Sequence, residues 1–314
     1  MRYINELREG EQVTDVYLCK QSQILRAKTG KNYLSLLLQD KTGTIDAKMW
    51  EIGPGAANIE AMDYVKVEGA VTTYQGNNQL NVRRIRKADE GEYDVSDYMP
   101  MTTSDPKVMY AELKKLMDSV KEQHLHTLLS NVFSDAELVK KFMNHSAAKG
   151  IHHAFVGGLL EHTLGVAKMC ACFADNYPIL NRDLLVTAGI FHDIGKLFEI
   201  SSFPENDYTD DGNLLGHIFL GAEFIGKKIA EIPGFPEKTA SELRHCILAH
   251  HGELTFGSPK KPALAEALAL SMADNLDAKM EALKELFSSA EAQSGGWLGF
   301  QRIFDSNIRP TSKQ

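Results

Sequence analysis

Two hydrophobic periods divide this chain, and the first is the two-residue alternation of β-strands between residues 12 and 87. In the third such stretch, Ile45, Ala47 and Met49 alternate with polar residues, which gives the strand one apolar face. Turn-forming residues separate the stretches, and the Gln-Gly-Asn-Asn sequence at 75–78 is typical of a hairpin. The predicted strands are Val13–Lys28, Asn32–Gln39, Gly43–Trp50, Tyr64–Tyr74 and Gln79–Arg86, with one short helix within Gly55–Met62.

Five strands with a helix between the third and fourth follow the element order of an OB-fold. We therefore predict an N-terminal five-stranded OB-fold β-barrel over residues 1–88. The acidic stretch 89–106 is poor in aliphatic residues and contains two prolines, so it is predicted to be a linker.

From residue 106 onward the hydrophobic period becomes helical, and Ser104-Asp105-Pro106 is a typical helix start. The overall fold class is thus multidomain α and β, with the barrel followed by an all-α domain. Residues 208–214, with a central Asp-Gly, are predicted to form a small hairpin or an ordered loop. The predicted helices are 106–122, 124–131, 135–144, 152–176, 181–199, 216–231, 238–251 and 262–288.

One polar face of the predicted barrel combines aromatic and basic side chains. Trp50 falls on the polar side of its strand, where a purely structural tryptophan would be wasted, and Tyr33 alternates with core leucines. Such a face suits single-stranded nucleic acid, because bases stack on aromatic rings and phosphates pair with cations. An equally weighted alternative is that both rings cover a barrel end or an interdomain contact. The candidate cations nearby are Lys28, Lys31, Lys48, Arg83, Arg84 and Arg86, of which Lys48 and Arg83 are the predicted binding residues.

The charge distribution adds weak support, although the net charge is −8. Residues 1–88 hold 13 Lys and Arg against 10 Asp and Glu, or +3, and the remainder holds 21 against 32, or −11. The four cysteines form no CxxC pair, which favours structural thiols. Without a membrane span or an N-terminal apolar run, the chain is expected to be cytoplasmic, with no membrane partner.

The candidate chemistry lies in the helical part, which carries all 11 histidines. Several of them, and two aspartates, interrupt apolar helical stretches. One buried histidine is usually a satisfied core residue, but burying this many polar groups is costly unless they are paired or bind metal. Nitrogen and carboxylate ligands together favour Mn²⁺, Fe²⁺, Co²⁺ or Zn²⁺ over Mg²⁺. The positions are His162, His192, Asp193, His217, His250, His251 and Asp274.

In this order and context, the set resembles the HD-domain superfamily of metal-dependent phosphohydrolases over about residues 150–285, and its two-metal branch in particular. With the barrel, nearly the whole chain is similar to the YhaM-family 3′-5′ exoribonucleases. The implied domains are a helical connection at 107–150, an HD domain at 151–290 and a C-terminal tail at 291–314.

The resemblance implies a role for each residue. His162, His192, Asp193 and Asp274 would bind one ion, and Asp193, His217, His250 and His251 the other. For His251 the alternative is a position outside the site, because the last residue of a helix can face outward. Asp277 competes with Asp274, which is preferred because it follows Met-Ala. The expected cofactor is two divalent ions per site, with Mn²⁺ favoured and Fe²⁺, Co²⁺, Zn²⁺ or Mg²⁺ as alternatives.

Asp193 and Lys196 are the predicted catalytic residues. Lys196 is three residues after Asp193, so it points to the same site and could neutralise charge on a phosphate, the alternative being a surface lysine beside the helix end. Two ions would lower the pKa of a shared water and clamp the phosphate oxygens. His152 and His153 could contact the nucleic acid and donate a proton to the leaving oxygen, or could be structural residues at a helix start.

Three functions follow. The first is an exoribonuclease that releases nucleoside 5′-monophosphates from single-stranded RNA, and also from DNA in a broader version. The second is a phosphodiesterase of small or cyclic nucleotides, which the barrel disfavours. The third is a DNA-binding replication or regulatory factor with structural metals. The aromatic tail residues Trp297 and Phe300 could dock on a second copy of the chain, giving a homo-oligomer, or cap their own domain.

Overall fold

The protein is described by a computed structural model over residues 1–27, 30–53, 56–74, 76–94, 97–98, 102, 104–148, 155–287 and 296–312. The predicted binding residues His152 and His153, and the candidate cation Lys28, lie outside these ranges. The chain divides into two compact units, Met1–Met101 and Thr102–Gln314.

The first unit contains five long strands, β1 (Gln12–Arg26), β2 (Asn32–Asp40), β3 (Gly43–Met49), β4 (Tyr64–Tyr74) and β5 (Asn77–Lys87). They form a closed barrel in the order β1-β2-β3-β5-β4, with β4 pairing back to β1. The neighbouring strands are antiparallel except β3 and β5, which are parallel. This topology confirms the predicted OB-fold.

The alternation seen in the sequence builds the barrel interior. Ile45, Ala47 and Met49 of β3 are all buried, opposite Leu34 and Leu36 of β2. The first strand is long enough to serve two neighbours: its N-terminal half pairs with β4 and its C-terminal half with β2, with a register shift between Cys19 and Gln21. Because that irregularity bends the strand, one segment can close the barrel.

The helical segment between β3 and β4 is shorter than predicted. Instead of one helix within Gly55–Met62, the structure has a single 3-10 turn at Ala56–Asn58. Met62 then adopts a positive φ of 71°, a conformation that cannot continue a right-handed helix.

Part of the acidic segment after β5 packs on the barrel. Tyr93 stacks on Tyr64 with ring centroids 3.9 Å apart, and Tyr98 is buried beside them. Glu92 pairs with both Arg86 and Lys66, at 2.6 and 2.8 Å. Carboxylates of this segment therefore offset basic charges on the outer face of β4 and β5.

The second unit is helical, which agrees with the predicted architecture. Its long central helix and its neighbours bury an extensive aliphatic core that includes Leu159, Leu185 and Ile247. Asp105 caps the first helix by accepting from the Lys107 N–H, with proline at the first helical position as predicted. The helices are α1 (Pro106–Asp118), α2 (Gln123–Val132), α3 (Ala136–Asn144), α4 (Gly158–Asn176), α5 (Arg182–Phe191), α6 (Lys196–Glu199), α7 (Asp210–Ala230), α8 (Glu237–Ala249) and α9 (Ala265–Phe287).

Two predictions about these helices were wrong. The single helix expected at 181–199 is interrupted by a turn at 192–195, which separates α5 from α6. In the stretch 208–214, expected to be a hairpin or loop, Tyr208 forms a β-bridge with Ile200, but α7 already begins at Asp210, capped by the Thr209 side chain. Aspartates belong in a first helical turn because they face the positive end of the helix dipole. The helix is then kinked at Gly216, whose φ is 73°.

Near the end of the chain, β6 (Phe300–Gln301) and β7 (Ser306–Asn307) form a two-stranded hairpin with Trp297 and Phe300 exposed. Cys19, Cys170 and Cys246 are buried free thiols, but Cys172 is exposed, which does not match the expectation that all four are structural. In the described parts of the chain, each helix is too short or too polar to cross a membrane.

Candidate active site

The turn at 192–195 carries the centre of the site. His192 and Asp193 are completely or almost completely buried there, between α5 and α6. Gly195 lets this turn lie against α7, because a Cβ at that position would be only 2.0 Å from the carbonyl oxygen of His217. The apolar sequence around His192 and Asp193 thus places both polar side chains inside the helical core.

A first group of ligand atoms gathers on one side of the Asp193 carboxylate. The Nε2 atoms of His162 and His192 are 3.1 Å apart. They lie 3.3 and 3.4 Å from Asp193 Oδ2, and 3.2 and 3.9 Å from Asp274 Oδ1. The structure therefore brings together the four side chains that the resemblance assigned to the first ion.

A second group gathers on the other carboxylate oxygen. The Nε2 atoms of His217 and His250 lie 3.5 and 3.6 Å from Asp193 Oδ1. His251 completes the group: its possible ligand atom lies within 4.8 Å of those of His217 and His250. Although it follows the end of α8, His251 is half-buried beside them rather than turned away. Asp193 thus stands between the two groups, with one oxygen toward each.

All five histidines present Nε2 to the site because Nδ1 is held from behind. Three backbone carbonyls, those of Gly189, Ile247 and Phe256, accept from Nδ1 of His192, His250 and His251 at 2.7–2.8 Å. A carbonyl can only accept, so Nδ1 carries the proton and the Nε2 lone pair faces inward. His162 and His217 have carboxylate partners instead, Asp277 Oδ2 at 2.7 Å and Glu199 Oε1 at 2.9 Å.

This donor set fits divalent metal ions. Among the described residues, Asp193 Oδ1, His217 Nε2 and His250 Nε2 are buried without a hydrogen-bond partner, a costly state for polar atoms. Two ligands each about 2.1 Å from one ion are roughly 3.0–3.4 Å apart, at octahedral or tetrahedral angles. The distances in the site are close to this range. The Nε2 atoms of His162 and His192 are 3.1 Å apart, and the four histidine Nε2 atoms nearest to Asp193 lie 3.3–3.6 Å from its carboxylate oxygens.

The charges of the site also favour cation binding. Burial would raise the pKa of Asp193, but the neighbouring Lys196 and His192 hold it well below its usual range. Burial lowers the pKa of His250 and His251, so both rings are neutral and available as ligands. Burial alone would also lower the pKa of His162, but the carboxylates around it raise it well above the ordinary value. A cation is thus attracted to the first group, and a proton and a metal ion compete for it.

Lys196 begins α6 and points into the same site. Its Nζ lies 2.6 Å from Asp193 Oδ2, and only 16% of its side chain is exposed. Although burial opposes the charge, Asp193 raises the pKa of this lysine, which keeps the ammonium protonated. The alternative of a surface lysine beside the helix end does not match this position.

Sequence reasoning missed one residue and left another open. Glu199 was not singled out, although it interrupts the apolar Leu197-Phe198-Glu199-Ile200 stretch, and that interruption is a signal that could have found it. Asp277 was weighed only as a competitor of Asp274. The structure gives the two aspartates different places: Asp274 faces Nε2 of His162, inside the site, and Asp277 holds Nδ1 from behind.

The barrel carries an aromatic pair at the predicted position. The rings of Tyr33 and Trp50 are 4.8 Å apart between centroids, and Trp50 is 52% exposed. Lys48 extends along the same face, donates to Ser35 Oγ at 2.6 Å, and lies 5.8 Å from the Tyr33 ring centroid. These three predicted residues form one surface, which we call the Tyr33–Trp50 face.

Arg83 lies on β5 and lines a neighbouring cleft of about 440 Å³. Met49 and Gly53 line the same cleft, together with three further basic residues, Lys66, Arg84 and Arg86. Within that cleft Arg84 lies 3.5 Å from Glu68, and Arg86 is paired with Glu92. Arg83 is thus on a different strand from Tyr33, and Trp50 directly follows β3. The cleft nevertheless extends to Met49 and Gly53, which flank Trp50 in the chain.

Comparison with known proteins agrees with both units. The HD domain model matches residues 159–279, and the model of an OB-fold nucleic acid binding domain matches residues 20–88. A curated relative, the 3′-5′ exoribonuclease YhaM of Bacillus velezensis, is 37% identical over 273 residues, which are 86% of this chain and 86% of the relative. The chain belongs to the YhaM family.

In this YhaM-family chain, the segment matched to the HD domain includes all seven predicted metal ligands, and the segment matched to the OB-fold includes the Tyr33–Trp50 face and Arg83. Two solved structures are remote matches to part of this chain. The second OB-fold domain of replication protein A from Methanococcus maripaludis shares 22% identity, with a TM-score of 0.23, over 29% of this chain and 96% of its own. A replication protein A heterotrimer bound to single-stranded DNA shares 22% identity, with a TM-score of 0.22, over 28% of this chain and 64% of its own.

Proposed function

We propose that this protein is a metal-dependent 3′-5′ exoribonuclease that hydrolyses single-stranded RNA to nucleoside 5′-monophosphates. The observation that carries the proposal is the Asp193 carboxylate, which lies between two groups of inward-facing histidine nitrogens. The family relationship supports the direction of digestion, since the curated relative is named a 3′-5′ exoribonuclease.

The chain's own residues would divide the work as follows. His162, His192, Asp193 and Asp274 would hold one divalent ion, and Asp193, His217, His250 and His251 a second, with Mn²⁺ favoured. Such ions supply the acidity that makes water a nucleophile at neutral pH, and they neutralise phosphate charge. Lys196 would add a fixed positive charge close to the scissile phosphate, stabilising charge that develops on its non-bridging oxygens.

The barrel would hold the strand that the helical unit cuts. On the Tyr33–Trp50 face, the exposed Trp50 ring and the half-buried Tyr33 ring offer stacking surfaces. Lys48 on that face and Arg83 in the neighbouring cleft would supply positive charge for the phosphates. Stacking does not distinguish the sugars, so single-stranded DNA is proposed as a second substrate. Joining the barrel to the catalytic unit in one chain keeps a bound strand at high local concentration.

The proposal is tested by a time course on 5′-labelled single-stranded RNA with Mn²⁺, Mg²⁺ or chelator, together with matched DNA and a cyclic dinucleotide. We expect a descending ladder on RNA that disappears with chelator and in Asp193→Ala. Turnover of the cyclic dinucleotide alone would replace the proposal with a small-molecule phosphodiesterase. Binding without hydrolysis of any substrate would instead indicate a nucleic-acid-binding factor.

We also propose that the chain forms homo-oligomers through α9 and acts in the cytoplasm, where its free thiols would persist. Leu268, Met272, Leu276 and Met280 recur every four residues on α9 and are each 44–55% exposed, a stripe that is typical of a helix interface. Sedimentation velocity should show that Met272→Glu combined with Leu276→Glu lowers the oligomeric state. An exposed control, Ile179→Glu, should leave it unchanged, and equal sedimentation of all three proteins would exclude this interface.

A further inference from the structure

The two metal-ligand groups share one asymmetry in how their histidines are held. In each group one histidine has a carboxylate behind Nδ1, and the others described above have backbone carbonyls. His162 of the first group is held by Asp277, and His217 of the second group by Glu199. A carbonyl is fixed by its helix, whereas a carboxylate adds negative charge and can be removed by substitution.

Glu199 makes more than one contact with His217. Its Oε1 accepts from both the backbone N–H and Nδ1 of His217, each at 2.9 Å. The backbone contact depends on the kink at Gly216, since a positive φ there turns the next N–H out of the helix and toward Glu199. Glu199 is itself the last residue of α6, so it ties the segment that starts at Lys196 to the kinked helix.

Asp277 occupies an equivalent place behind the first group. It lies on α9, one turn after Asp274, and reaches His162 on α4. Gly165 makes room for its carboxylate, because a Cβ there would be 2.2 Å from Asp277 Oδ1. The first group therefore has its own supporting carboxylate, Asp277 on α9, whereas Glu199 of the second group is on α6.

We propose that Glu199 and Asp277 are positioning residues that set the affinities of the two metal groups separately, Glu199 for the second ion and Asp277 for the first. A carboxylate behind a ligating imidazole fixes the tautomer and ring orientation, and makes the other nitrogen a better donor. The inference rests on the metal site of the proposed function but concerns ion binding, so it is measured without RNA.

The experiment titrates metal-stripped, full-length protein with Mn²⁺ in a calorimeter, which measures the two affinities. Metal analysis after desalting counts the bound ions, and Mn²⁺ electron paramagnetic resonance shows whether they are close enough to couple. Wild type should bind two ions that give a spin-coupled signal. In Glu199→Ala we expect the second affinity to fall about 10–100-fold, with the first unchanged and an isolated-ion signal remaining. Asp277→Ala should weaken the first site by a similar factor and leave the second.

Further variants separate positioning from folding. Glu199→Gln keeps an oxygen that can accept from both N–H groups, so it should retain the second ion with a smaller loss than Glu199→Ala. Glu223→Ala, which removes an exposed carboxylate paired with Lys227 on α7, should match wild type. Gly165→Ala should reproduce the effect of Asp277→Ala by displacing that carboxylate. Melting in chelator checks that each variant is folded.

Wild-type affinity for both ions in Glu199→Ala and Glu199→Gln would overturn the inference, and so would an equal fall of both affinities in folded Glu199→Ala. Failure of the proposed function looks different. If wild type binds two ions and Glu199→Ala only one, the inference holds even when no RNA is hydrolysed. If RNA is hydrolysed while Glu199→Ala still binds two ions normally, the inference alone fails.

Discussion

Substituting Gly195 by alanine tests whether the close contact between the 192–195 turn and α7 sets the spacing of the second ligand group. Gly195 has a helical φ of −63°, so alanine causes no backbone strain there, and the effect is purely steric. The added Cβ would lie 2.0 Å from His217 O and 2.6 Å from the backbone nitrogen of Gly221. Neither is a flexible side-chain end, so α7 and the turn must separate.

The required shift is about 1 Å, since real Cβ atoms keep about 3 Å from such atoms. Overpacking of this kind costs roughly 1–3 kcal/mol of stability. The consequence for catalysis is larger, because His217 would move away from Asp193 Oδ1, now 3.5 Å from its Nε2. A misplacement of about 1 Å can reduce turnover roughly 10²-fold.

The assay compares exonuclease rate and Mn²⁺ stoichiometry for Gly195→Ala with those for Gly226→Ala, a matched change further along α7. At Gly226 the nearest atom to an added Cβ is the Arg244 Nε at 3.6 Å, an ordinary contact. We expect Gly226→Ala to keep both metal ions and the wild-type rate. Full activity and two tightly bound ions in Gly195→Ala would refute the reasoning that this contact sets the site.

Three further predictions concern other parts of the molecule. Lys196→Met should lower the rate of hydrolysis about 10²–10³-fold while Mn²⁺ stoichiometry is retained; an unchanged rate would exclude a role in charge stabilisation. Tyr33→Ala and Trp50→Ala should each weaken binding of a 20-nucleotide RNA by about 1–3 kcal/mol in fluorescence anisotropy, yet leave dinucleotide hydrolysis unchanged, and equal loss on both substrates would contradict a strand-holding role. Burial lowers the pKa of His145 to about 4 from 6.5. As the pH falls, the unfolded chain therefore binds a proton at His145 before the folded chain does. Up to about 3 kcal/mol of the free energy of unfolding should be lost between pH 6.5 and 4. Urea unfolding in chelator should show a flatter pH dependence for His145→Gln than for wild type, and identical slopes would refute the assignment to His145.

The barrel was predictable because the alternation within each strand shows which side chains face the core. Alternation in Ile45, Ala47 and Met49 places those residues inside and their neighbours outside, whatever the rest of the chain does. The turn positions between the strands then fix the order of elements, and the order identifies the fold. The helix predicted between β3 and β4 was wrong in extent: the helical turn ends at Asn58, and Met62 has a positive φ of 71°.

The clustered histidines and aspartates were predictable for a different reason, since each is a polar residue in a largely apolar helical stretch. Their partners are harder to find. Glu199 meets His217 only because α7 is kinked at Gly216, and that kink cannot be read from hydrophobic spacing. Asp274 and Asp277 fall on nearly the same helix face, so their separate places depend on the position of His162 on another helix.

The α7 start shows how a local signal can mislead. The Asp-Gly pair at 211–212 is typical of a turn, but Thr209 accepts from the Gly212 N–H and begins a helix at this point. A threonine followed by two aspartates is also a capping signal, and it could have found this helix start.

Two metal ions that share the Asp193 carboxylate are central to the proposed function. Anomalous diffraction at the manganese edge from Mn²⁺-soaked crystals measures this directly. We predict two peaks on opposite sides of Asp193, one among His162, His192 and Asp274, and the other among His217, His250 and His251. A single peak, or peaks away from Asp193, would contradict it.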